Sequence, residues 1–171
     1  MVRSGAIALL LLVVAGCSIS DDSEPQAGNS SGTTQAPEEP RDLSVERISS
    51  GAPGQGPEQP RVIVAPSAAV LSAAMDANVP DFGEGTYLAV HWGEKPTGGY
   101  SLAVESARFE GGRVTVRLAL KEPPPDAIVT QALTYPYAVA VVRDLAPEGK
   151  RFSFVDRNGR ELGWAVRRVE G

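Results

Sequence analysis

The stretch Arg113-Val114-Thr115-Val116-Arg117-Leu118-Ala119-Leu120-Lys121 alternates apolar and polar side chains almost without a break. Successive side chains of a β-strand point to opposite faces. Val114, Val116, Leu118 and Leu120 therefore form one apolar face, and Arg113, Thr115, Arg117 and Lys121 a polar one. Just upstream, Tyr100–Phe109 alternates as well, with Tyr100, Leu102 and Val104 opposing Ser101, Ala103 and Glu105. Gly111-Gly112 separates the two runs, and two glycines there read as a hairpin turn that needs positive φ. Downstream, Pro123-Pro124-Pro125 ends the pairing, because none of the three has an N–H to give a ladder. Tyr137–Val142 is apolar nearly throughout, as expected of a strand buried on both faces.

Working outward, Thr86–Gly93 alternates too, with Leu88, Val90 and Trp92 on one side and Tyr87, Ala89 and His91 on the other. Arg61-Val62-Ile63-Val64 is a short strand. Leu43, Val45 and Ile48 suggest one short first strand, ended by the Gly- and Pro-rich Gly51–Pro60 stretch. Pro66 to Met75 reads as a helix: Ser67 is the N-cap, Val70, Leu71 and Met75 share a face, and Asn78 and Pro80 stop it. Arg151–Val155 and Glu161–Val169 flank Asp156-Arg157-Asn158-Gly159, which reads as the turn of a C-terminal hairpin. The expected fold is mainly β: a small antiparallel sheet, curled or sandwich-like, with one short helix over one face or end. There is no internal repeat.

The chain has 171 residues, 16 basic and 21 acidic, for a formal charge of −5. That balance argues against a nucleic-acid partner, which draws on a basic surface. A single His and a single Cys cannot make a zinc site, a Cys/His dyad or an intrachain disulfide framework, and no cofactor is expected. At the N-terminus Arg3 precedes an apolar run, Ala6 to Val14, that is too short for a span of roughly 20 residues. Val14-Ala15-Gly16-Cys17 follows and resembles the lipobox of bacterial lipoproteins. The resemblance implies lipidation of Cys17 and anchoring to a membrane of the bacterial cell envelope, outside the cytoplasm. Acyl chains hold a protein there by about 0.8 kcal/mol per buried CH₂. Ser18 to Pro40 carries Asp21, Asp22, Glu24, Glu38 and Glu39 among Pro, Ser and Gly, with little to bury beyond Ile19. The organisation expected is a signal peptide over 1–16, a disordered acidic tether over 17–41 and one domain over 42–171.

Within that domain, Gly93-Glu94-Lys95-Pro96-Thr97-Gly98-Gly99-Tyr100 and Val129-Thr130-Gln131-Ala132-Leu133-Thr134-Tyr135-Pro136-Tyr137 resemble two motifs of the PrcB C-terminal family. That family is named after the lipoprotein subunit of a bacterial surface protease complex. Ile48-Ser49-Ser50-Gly51, Arg61-Val62-Ile63-Val64 and Asp81-Phe82 extend the likeness, so that it covers about 42–144. The helix lacks the Trp residues often found in the family, and the hairpin at 145–171 has no place in it. The resemblance implies a small accessory domain without chemistry of its own, some members of which serve protease complexes.

The first motif also has a reading of its own. Pro96 presets φ, Gly98 and Gly99 permit positive φ, and Tyr100 starts the next strand on its core face. The loop is either a demanding hairpin connection or a recognition loop presenting Lys95, Pro96, Thr97, Gly98, Gly99 and Tyr100. Tyr135, Pro136, Tyr137 and a C-terminal arginine group (Arg143, Arg151, Arg167, Arg168) are further candidates for a binding face. Pro96–Tyr100 is also similar to the Asn-Pro-Thr-Thr-Gly loop of chagasin-type cysteine-protease inhibitors. No catalytic set emerges in the domain: His91 reads as a surface or rim residue, no Gly-x-Ser-x-Gly elbow exists within 42–171, and Glu105 and Glu110 lie among solvated positions. The function expected is a non-enzymatic, lipid-anchored accessory domain that binds a protein partner, a protease or its complex foremost. The alternatives are a protease inhibitor and a structural envelope lipoprotein.

Overall fold

The computed structural model describes residues 39–171. The leader, Cys17 and nearly all of the tether lie outside the described residues. The first strand expected from Leu43, Val45 and Ile48 is in fact two. β1 (Arg41–Leu43) and β2 (Val45–Gly51) part at Ser44 and enter different sheets. Leu43 and Val45 both reach the same core, one from each wall. Beyond them come β3 (Arg61–Ala65), α1 (Ala68–Met75), β4 (Gly85–His91), β5 (Ser101–Glu110), β6 (Arg113–Lys121), β7 (Tyr137–Arg143), β8 (Arg151–Val155) and β9 (Ala165–Arg168).

The strands form a sandwich. A four-stranded sheet runs β1-β5-β6-β8 and a five-stranded sheet β2-β7-β4-β3-β9. Between them lies the main core, in which Leu88, Val90, Leu102, Phe109, Val116, Leu118 and Ala140 meet. The outer side of the five-stranded sheet carries a second apolar cluster, Ile63, Tyr87, Ala89, Val139 and Val141, and α1 closes it with Ala68 and Leu71. β4 and β7 are therefore buried on both faces, as the apolar run of β7 predicts. On β4 the side of Tyr87 and Ala89 is as buried as that of Leu88 and Val90. The helix covers it, and only His91, at the strand end, sits on the rim.

Local sequence explains the elements. The Ser67 hydroxyl accepts a hydrogen bond from the Val70 N–H at 3.3 Å and starts α1. Asp76, in the left-handed region at φ 51°, ends the helix two residues before Asn78. Gly111 and Gly112 have φ of 54° and 75°, the double positive φ of a tight hairpin between β5 and β6. β5 also holds a bulge between Val104 and Ser106. The extra residue there shifts the alternation, so that Ala107 and Phe109 turn inward in step with Leu102 and Val104.

The C-terminal segment departs from the sequence reading. A turn forms at 156–159, where the Asp156 N–H donates to the Arg160 carbonyl at 2.9 Å, but the arms pair only through a bridge between Val155 and Glu161. β8 instead lies parallel to β6, and β9 lies parallel to β3 in the other sheet. The sheets are thus mixed rather than purely antiparallel. β6 and β3 each bring buried valines to the pairing, whereas all four residues of β9 are exposed.

Candidate functional site

The two motifs, 93–100 and 129–137, are distant in sequence but meet in space. Lys95 and Thr134 form an antiparallel bridge: the Lys95 N–H donates to the Thr134 carbonyl at 2.8 Å, and the Thr134 N–H returns to Lys95 at 3.0 Å. The Gly98 N–H donates to the Thr130 carbonyl at 2.9 Å, and the Thr134 hydroxyl to the Thr97 carbonyl at 2.7 Å. Around them the Trp92 N–H reaches the Pro136 carbonyl and the Tyr135 N–H the Pro53 carbonyl, both at 2.9 Å. The Tyr135 hydroxyl donates to the Glu94 carboxylate at 2.6 Å, which raises the phenol's pKa. Loops without strand partners are here tied carbonyl by carbonyl, as buried backbone requires.

Trp92 anchors the assembly. It is buried, and Tyr100 meets it edge-on with ring centres 5.6 Å apart. The Lys95 ammonium sits 4.8 Å from the Trp92 ring centre and donates to the Trp92 and Glu94 carbonyls at 3.0 and 3.2 Å. Partial burial lowers the Lys95 pKa, against the pull of Glu122. Lys95 is therefore folded back on its own loop rather than presented outward. Glu94, Pro96 and Gly99 are the exposed members of the loop. Gly99 has φ of 87°, and a Cβ there would stand 2.8 Å from Pro123 Cβ. Gly98 does not have the positive φ expected of it: its hydrogen bond to Thr130 holds it in an ordinary conformation, and a Cβ would clear Thr130 at 3.5 Å.

The other sequence candidates scatter. Pro136 is buried, and Tyr137 opens β7 on the helix side of its sheet, its ring 6.3 Å from that of His91. Burial and the neighbouring Arg61 push the His91 pKa down to about 4. Of the C-terminal arginines, Arg143 is drawn away to Glu46 and the Phe82 carbonyl, and Arg167 and Arg168 alternate to opposite sides of β9. Arg151 and Arg168 line one cleft. Glu105 is taken by Arg157 at 2.6 Å.

Two features were not read from the sequence. The segment between Pro125 and Thr134 projects Ile128 fully, at 104 % exposure, and Leu133 at 49 %, beside the Thr97–Gly98 turn. Large apolar residues outside any strand pattern were the available signal. On the other side of Trp92 lies a cleft of about 440 Å³, lined by Leu120, Glu122, Arg157, Leu162 and Trp164. The chain's two tryptophans thus share one cleft, although they belong to distant segments.

Both motif loops, with β5, β6, β7 and all of β4 but Gly85, fall inside one stretch recognised by a protein-family comparison. Residues 86–143 match the PrcB C-terminal family. The chain carries a PrcB-like domain, and the match takes in Lys95–Tyr100 and Tyr135–Tyr137 whole. The upstream stretches at 48–51, 61–64 and 81–82 and the C-terminal edge strands lie outside the matched residues. Comparison with curated proteins and with solved structures finds no match.

Proposed function

We propose that this chain is a non-enzymatic accessory protein, held outside the cytoplasm of a bacterium by lipid on Cys17, that binds a protein of a protease complex through the loop end of its PrcB-like domain. The observation that carries the reading is the joining of 93–100 and 129–137 into one rigid end from which Ile128 and Leu133 project. A surface set by backbone hydrogen bonds loses little entropy on binding, and apolar residues at its tip gain by leaving water. The family's name points the same way. The acidic stretch between Cys17 and Arg41 gives such a domain reach from the bilayer.

The test places a photo-crosslinking residue at Ile128 in the full chain and, as a control, at Ala73, exposed on α1 at another part of the surface. Envelopes are irradiated, and adducts are identified by mass spectrometry. Adducts to a protease or its complex from position 128 and not from 73 support the reading. Equal adducts from both positions, or none from 128, contradict it. Turnover by the captured protease separates an accessory subunit, which leaves it running, from an inhibitor acting through Pro96–Tyr100, which stops it.

A further inference from the structure

At one side the sandwich is open, and arginines gather there. β8 ends the four-stranded sheet and β9 the five-stranded one. The parallel register of β6 and β8 sets Arg113 directly beside Arg151. Val166 and Arg168 of β9 stand in register with Val62 and Val64, whose side chains belong to the core between the sheets. Arg168 consequently faces across the gap, its guanidinium 5.5 Å from the centre of the Phe152 ring. With Ser153 and Glu161 these residues line a cleft of about 340 Å³.

The charges in this cleft are not neutralised from within. Among the described residues, Arg108, Arg143, Arg157 and Arg160 each have a carboxylate within ion-pair distance, whereas Arg113, Arg151 and Arg168 have none. Glu161 is the one carboxylate in the lining. Like charges side by side on neighbouring strands repel and destabilise the pairing. A chain with more acidic than basic residues nevertheless groups three guanidinium ions around one gap.

We propose that this cleft binds an extended acidic segment of a protein partner, with carboxylates on Arg113, Arg151 and Arg168 and its backbone along the outer edge of β9. A planar guanidinium fork matches a carboxylate with two parallel hydrogen bonds. β9 pairs with β3 alone among the described strands, so its other edge is open to an added strand. Val166, 39 % exposed, and half-buried Phe152 offer apolar contact at alternate positions of such a strand. An anionic bilayer presents a plane, whereas these arginines come from both sheets and line a cleft. The assignment is independent of the loop end, which lies on other residues.

The experiment titrates a fluorescein-labelled peptide of alternating Glu and Val with the full chain and follows anisotropy at low and high salt. Binding is expected that salt weakens, that a Lys–Val peptide does not show, and that Arg151→Gln and Arg168→Gln each weaken about tenfold, near 1.4 kcal/mol. Arg167→Gln, on the other side of β9, is expected to change it less than twofold. Thermal melts of the same variants show that they remain folded, and either of the two cleft variants suffices if the other does not. Failure of the acidic peptide to bind, equal loss with Arg167→Gln, or arginine-dependent retention on phosphatidylglycerol vesicles without peptide binding overturns the proposal.

Discussion

The stretches 86–143 and 144–171 feed the same two sheets from opposite positions. The first supplies β4 and β7, buried on both faces, and the β5–β6 hairpin that forms the other wall. The second supplies β8 and β9, each at a sheet edge, and all four residues of β9 are exposed. The family match covers the first stretch and stops before the second. The matched stretch thus holds the strands that build the core, β4 and β7 on both faces and β5 and β6 on one. The edges are free to carry charge, and they supply Arg151 and Arg168 of the arginine cleft, to which β6 adds Arg113.

That contrast predicts a steep gradient of mutational cost. Phe109→Ala removes a fully buried ring from the inter-sheet core and should destabilise by about 3–5 kcal/mol in urea melts. Val166→Ala on β9 should cost under about 1 kcal/mol. Similar losses at the two positions would break the distinction between core and edge.

Next in size is a comparison inside the loop end. Gly99→Ala forces a Cβ against Pro123 and Val129 at positive φ and should cost about 1–3 kcal/mol. Gly98→Ala meets only ordinary contact with Thr130 and should cost about 1 kcal/mol or less. Thermal melts of the pair measure how rigidly this turn is held.

His91 provides a smaller, pH-dependent effect. Its folded pKa, about 4, lies below the ordinary value of 6.5. Between those values the unfolded chain takes up a proton that the folded chain refuses, so stability falls as pH drops from about 6.5 towards 4. His91→Gln should reduce the loss of Tm between pH 7 and pH 4.5. An unchanged loss would mean that the rim of β4 is more open to water than the packing of Tyr137 and Arg61 indicates. Smallest of all is Arg113→Gln, which relieves the Arg113–Arg151 repulsion and should leave Tm unchanged or slightly raised.

The sequence carried the elements whose signals are local. Alternation in Arg113–Lys121, two glycines before it, the apolar run of β7 and the Ser67 cap all lie within a few residues of what they specify. The split at Ser44, the bulge after Val104 and the parting of β8 from β9 do not, because each is decided by a partner strand distant in the chain. The same division holds for the site. Pro96 and Gly99 announce a special turn, and Tyr100 its inward anchor. Nothing in 93–100 shows that Thr130 and Thr134 hold its backbone, or that Lys95 turns back onto Trp92. Ile128 and Leu133 stood out only once the absence of a strand around them was known.

The central claim, that the loop end is the partner-binding face, is tested most directly by charging its tip. Ile128→Asp and Leu133→Asp, made together in the full chain, touch exposed side chains and should leave Tm nearly unchanged. Capture of the proposed protease-complex partner from solubilised envelopes, quantified against the unaltered chain, should fall at least about tenfold. Undiminished capture by a folded double variant would contradict the account and place the binding face elsewhere on the domain.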